Sequence, residues 1–107
     1  MQFKVVIGEQ VYAIELPEDL LRESAEFHAK LDRDMDLGWQ MSREFVPWPD
    51  RLQRCQIVAD KLLTGITQGN QATAMLMAAY LALRMPGAVG VDIDDAGEMQ
   101  NTELLYA

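Results

Sequence analysis

The stretch from Gln71 to Met85 has no consistently polar face. Ala72, Met75, Leu76, Met77, Ala79, Tyr80, Leu81 and Leu83 cover most of the circumference that a 3.6-residue period would give it. Its ends are marked. Asn70, after Gly69, is placed to cap a helix by accepting a backbone hydrogen bond, and Pro86-Gly87 stops it. A helix that is apolar all round must be surrounded, so the rest of the chain has to supply a shell. Two other helices and a hairpin are barely enough for that shell. We therefore expect a second copy of the chain to cover part of this helix, making a homodimer.

The shell can be read from the remaining periodicities. Phe3, Val5 and Ile7 alternate along one run and Tyr12, Ile14 and Leu16 along another, with Gly8-Glu9-Gln10 between them, which predicts an N-terminal β-hairpin. Pro17 suits the first position of a helix, and Glu18 and Asp19 add the negative charge that a helix start favours. Leu20, Ser24, Phe27, Leu31 and Met35 then fall three or four apart, predicting one helix over 17–36 that Leu37-Gly38 ends. Whether the segment from Trp39 to Phe45 restarts as a short helix is open. Val46-Pro47-Trp48-Pro49 must be an extended corner, because each proline restricts itself and the residue before it. Asp50 with Gln53 resembles a capping box, and Leu52, Cys55, Ala59, Leu62 and Ile66 line a helix over 50–68. With the helix over 71–85 there are three main helices. Val89, Val91 and Ile93 predict a short third strand over 89–94 that can join the hairpin. The fold class is thus α+β, mostly helical, with a single domain over 1–94 and an acidic tail over 95–107 whose order the sequence leaves open.

Charge and cysteine content bound the partners. The net charge is −8, unevenly placed. Residues 1–50 hold eleven acids and five bases, residues 51–91 hold Asp60 against Arg51, Arg54, Lys61 and Arg84, and residues 92–107 hold five acids alone. This distribution and the near-absence of bases on the 71–85 helix speak against a nucleic-acid partner, since phosphates need a basic surface. Cys55 is the only cysteine, which fits a reducing, cytoplasmic setting. Three consecutive apolar residues after Lys4 are too few for a signal peptide. The near-apolar run from Ala72 to Leu83 falls well short of the roughly 20 residues that span a bilayer, so no membrane partner is expected.

Candidate chemistry is sparse. Asp92, Asp94, Gly97 and Glu103 hold the first, third, sixth and twelfth places of a calcium loop of the EF-hand kind, which makes Asp92, Asp94 and Glu103 candidate metal ligands. Ala96 occupies the fifth place, where an oxygen ligand belongs, and a strand-like run replaces the leading helix. Ser24, His28 and Asp32 follow one another by single helical turns, but without an oxyanion hole or a glycine-rich nucleophile turn. Cys55 lies on an apolar stripe, as a small buried thiol does. No phosphate-binding glycine loop is present, and no cofactor is expected.

The segment Trp39 to Trp48 gathers residue types that are enriched at protein interfaces. The reading is a non-catalytic protein–protein interaction module that self-associates, with Trp39, Met41, Phe45, Trp48, Met75 and Tyr80 as candidate interaction residues. The alternative is a small-molecule-binding protein or minor enzyme with an apolar pocket between helices, using Trp39, Trp48, Tyr80 and His28.

Overall fold

The computed structural model describes residues 1–107. The chain opens with the expected hairpin, β1 (Gln2–Ile7) and β2 (Gln10–Glu15), in unbroken antiparallel register from Gln2–Glu15 to Ile7–Gln10. Gly8 takes φ +59 at the first central position of the two-residue turn and Glu9 keeps a negative φ, the combination that favours glycine first in a tight hairpin.

The helix expected over 17–36 is two helices, α1 (Glu18–Glu23) and α2 (Ala25–Asp36). Ser24 makes the break at φ −85, ψ 0. It is buried, and its hydroxyl donates back to the Leu21 carbonyl at 3.4 Å, a local bond that competes with continuous helix and bends it. After Gly38, residues 39–46 form no helix but a small hairpin, β3 (Trp39–Met41) with β4 (Glu44–Val46), turning at Ser42 with φ 59.

The capping box at α3 (Arg51–Thr67) is formed as expected. Asp50 Oδ1 accepts from Gln53 N at 2.8 Å and Gln53 Oε1 accepts from Asp50 N at 2.9 Å. Asn70 likewise caps α4 (Gln71–Arg84), accepting from Thr73 N at 3.1 Å. Gly65 lets the two helices close together, since a Cβ there would lie 3.2 Å from Ala74 N.

β5 (Ala88–Ile93) then lies beside β1 in parallel, Val5 against Val91 and Ile7 against Ile93. The segment 95–107, whose order the sequence leaves open, contains a short 3₁₀ turn (Met99–Asn101) and β6 (Glu103–Tyr106), which pairs antiparallel with β5. Two features hold it. Leu104 packs against the core opposite Val91, and the buried Thr102 is tied on both sides. Its hydroxyl accepts from Asp94 N at 3.0 Å, and Gln56 Nε2 donates to the Thr102 and Gln100 carbonyls at 3.2 Å each.

The sheet order is β2-β1-β5-β6, with β3-β4 separate. Phe3, Val5, Val91 and Ile93 are buried on the face that meets the helices, while Lys4, Ala13, Asp92 and Glu103 alternate onto the exposed face. α4 touches α1, α3, β2 and β5, and Ala74, Met77, Ala78, Ala79, Tyr80 and Leu81 are buried without a second copy. Ala72 and Leu83 on the same helix stay exposed, and Met75, Leu76, Ala82 and Met85 are half-buried. The fourth strand widens the sheet beyond β5, and its Leu104 packs against the core. No helix is long and apolar enough to cross a membrane.

The β1–β5 junction depends on Gly90, where a Cβ would stand 2.5 Å from the Lys4 carbonyl oxygen. Gly90→Ala is expected to cost about 1–3 kcal/mol through this clash, although alanine is otherwise the better strand residue. Urea unfolding measures it, and an unchanged midpoint would contradict the close approach.

Candidate functional site

The densest set of titratable side chains is where α2, α3 and α4 meet. Asp32 on α2 accepts from the Tyr80 hydroxyl at 2.5 Å through Oδ1 and from Arg84 Nη2 at 2.8 Å through Oδ2. From α3, Arg54 Nη1 donates to the Asp32 carbonyl at 3.1 Å, Nη2 pairs with Asp36 at 2.9 Å, and Nε donates to the Pro49 carbonyl at 2.8 Å. The Arg84 guanidinium also lies 4.7 Å from the centre of the Tyr80 ring. Helical spacing makes this possible: Tyr80 and Arg84 are one turn apart on α4, so both reach the same carboxylate.

His28, one turn before Asp32, is fully buried and packs edge-on against Tyr80, with ring centroids 5.3 Å apart. Its Nε2 is 3.0 Å from the Leu76 carbonyl. A carbonyl can only accept, so Nε2 carries the proton and Nδ1 is a bare acceptor with no partner. Burial, assisted by the Arg84 charge, lowers the imidazole pKa against the Leu76 bond and the Asp32 charge, which raise it. Burial raises the Asp32 pKa, but hydrogen bonds from Tyr80 and Arg84, with the charges of both arginines, leave it below the ordinary carboxyl value. Burial and then the bond to Asp32 push the Tyr80 hydroxyl up. Burial, with a smaller push from the Asp32 charge, drives the Cys55 thiol up to about 12 against the Arg84 and Arg51 charges, which lower it.

Such a cluster is a clamp rather than a reaction centre. Both Asp32 oxygens are engaged, the Cys55 thiol stays protonated, and Ser24, His28 and Asp32 each turn to a different partner. The sequence drew notice to His28 and Asp32 but not to Arg54 or Arg84, because no local spacing links α2 to arginines on two other helices.

The six candidate interaction residues do not share one surface. Met41 and Tyr80 are buried in the core. Trp39 is half-buried beneath Lys61, whose Nζ is 4.6 Å from the ring centre, and Met75 is half-buried beside β2. Phe45 and Trp48 are exposed, at 57% and 69%, and so are two apolar residues that the sequence did not single out as exposed, Leu37 at 82% and Leu52 at 46%. Phe45 lies over Gly38, where a Cβ would be 2.5 Å from the ring, so the end of α2 and β4 meet at this corner. The Trp48 backbone stands at φ 51, a conformation that a bulky residue avoids. Of the residues named for an apolar pocket, His28 and Tyr80 pack together in the core, Trp39 lies beneath Lys61 and Trp48 is exposed. The largest groove, about 700 Å³, lies between β2 and the α3–α4 turn.

The calcium-loop spacing does not produce a calcium loop. Asp92 and Glu103 face each other across β5 and β6, whereas Asp94 Oδ2 accepts from the amides of Ala96 at 3.2 Å and Glu98 at 2.8 Å. No group of three His, Cys, Asp or Glu side chains converges on a point.

No protein family, curated protein or solved structure matches this chain.

Two pH windows follow. His28 stays neutral in the fold while the unfolded chain protonates near 6.5, so stability falls as pH drops below that value. His28→Leu is expected to remove that slope in urea unfolding between pH 7 and 5; an unaltered slope would contradict a buried neutral imidazole. Asp32 contributes stability that is fully present above its unfolded value near 3.8 and is lost as pH falls through its lower folded value. At pH 7, Asp32→Asn is expected to cost about 2 kcal/mol, the scale of charge-assisted hydrogen bonds.

Proposed function

We propose that this chain is a non-catalytic protein–protein interaction module of the reducing cytoplasm, self-associating, with a docking surface at the corner formed by Leu37, Phe45, Trp48 and Leu52. The observation that carries this reading is Trp48, exposed at 69% on a backbone with φ 51. Holding a tryptophan in that conformation costs about 1–3 kcal/mol, and nothing within the chain recovers it by covering the ring. Large apolar side chains left to solvent are residue types found at interface centres. The non-catalytic part is supported by the saturated Asp32 cluster and the high thiol pKa. The cytoplasmic setting is supported by the single buried cysteine. The acidic net charge of −8 supports a protein partner over nucleic acid.

Trp48→Ala is expected to change unfolding stability by less than about 0.5 kcal/mol, because an exposed side chain contributes little to the folded state. A loss above about 2 kcal/mol would mean that the ring is core. A photo-crosslinking phenylalanine derivative at position 48 is expected to give one discrete adduct in an extract of the source cells, removed by adding Phe45→Asp. A diffuse ladder, or an adduct insensitive to Phe45→Asp, would contradict a specific corner. Light scattering across a dilution series tests self-association: a species of twice the 12.1 kDa chain mass is expected, and a monomer at every concentration would contradict it.

A further inference from the structure

The two edges of the four-stranded sheet are unlike. Natural edge strands are blunted by shortness, lysine, proline or bulges, because their unpaired N–H and C=O groups otherwise recruit another strand. β6 is four residues long and pairs with β5 through a register shift between Ala88 and Gly90. β2 is six residues long, in regular register with β1, with neither proline nor lysine, and its only charge, Glu15, is at its end. Since Ile7 and Gln10 close a two-residue turn, the even-numbered residues of β2 bond to β1, a pattern that Leu16 N continues by donating to the Met1 carbonyl at 2.7 Å. Val11, Ala13 and Glu15 therefore turn their backbone groups outward.

We infer that β2 pairs antiparallel with β2 of a second copy about a two-fold axis at Ala13, joining two four-stranded sheets into one of eight strands. This rests on the self-association proposed above and names its surface. Residues opposed across an antiparallel pair share a face, so the axis must pass through a residue rather than between two. With the axis at Ala13, Val11 meets the partner's Glu15, Tyr12 meets the partner's Ile14, and every outward backbone group of the strand is paired without opposing like charges. Moving the axis to Tyr12 sets Glu15 against the partner's Glu9, and moving it to Ile14 brings Pro17, which has no N–H, into the ladder. Val11 is 61% exposed and Tyr12 is 38% exposed in the single chain. On the helix side, the partner's Tyr12 arrives against Ile14 at the mouth of the groove that Ile66 and Met75 also line. A strand that is complementary to itself in one register, and repelled or broken in its neighbours, fits a second copy of this chain.

Cysteine cross-linking on the full chain reads the register. Ala13 is exposed and Cys55 is buried, so an introduced thiol is the only accessible one. In the proposed pair the two Ala13 positions are about 5.5 Å apart, within the span of a disulfide, whereas Val11 lies opposite Glu15 and cannot reach its own copy. Under mild oxidation Ala13→Cys is expected to give a disulfide-linked dimer at least tenfold faster than Val11→Cys, and Ala13→Lys to weaken association tenfold or more. If the unmodified chain scatters as a dimer but Ala13→Cys links no faster than Val11→Cys, the β2 pairing is overturned and self-association stands. If the unmodified chain is a monomer at every concentration, both are overturned.

Discussion

A helix of alanine, methionine and leucine on nearly every side has to be covered, and the face of α4 from Ala74 to Leu81 is buried by its own chain. α3 lies along one flank through the close approach at Gly65, α1 meets another, and β2 and β5 lie beneath. The parallel placement of β5 beside β1 makes this possible, because it brings the residues after Pro86-Gly87 back under the helix they have just left. That placement needs Gly90 against the Lys4 carbonyl, and β6 must follow to cover the far edge of β5. The two-layer arrangement thus follows from one apolar helix and the one strand crossing that can house it.

Much of this was legible because its signals are local. The alternation of Phe3, Val5 and Ile7, the capping box at Asp50 and Gln53, and the cap at Asn70 each concern residues within a few positions of one another. Several elements were not legible, for reasons that are also physical. β6 lies in a segment dominated by acids, and only Leu104 of its side chains packs against the core, so alternation is too brief to register. The break at Ser24 comes from one back-bonded hydroxyl within an otherwise continuous apolar stripe. Met41 and Trp48 are both large and apolar in one decapeptide, yet one is buried and the other exposed; the pleat of a three-residue strand and a single backbone angle decide which.

Arg54 and Arg84 close on Asp32 from two helices, and that clamp separates the rigid part of the molecule from its free surfaces. The groups with shifted pKa values, His28, Asp32, Cys55, Tyr80 and Arg84, are committed to holding α2, α3 and α4 together. What remains uncommitted lies elsewhere: the outward backbone groups of β2, and the corner of Leu37, Phe45, Trp48 and Leu52. On the proposed reading the first serves a second copy and the second a different protein, and the rigid clamp keeps the two surfaces in fixed relation.

The buried face of α4 is covered within one chain, whereas on the proposed reading the β2 edge is covered only by association. Residue-resolved amide hydrogen exchange, recorded across a dilution series, measures both at once. Slow exchange is expected across the buried face of α4 at every concentration, with the amides of Val11, Ala13 and Glu15 slow when the protein is concentrated and fast when it is dilute. Loss of protection on that face on dilution would contradict this, because the helix would then depend on a second copy for its cover.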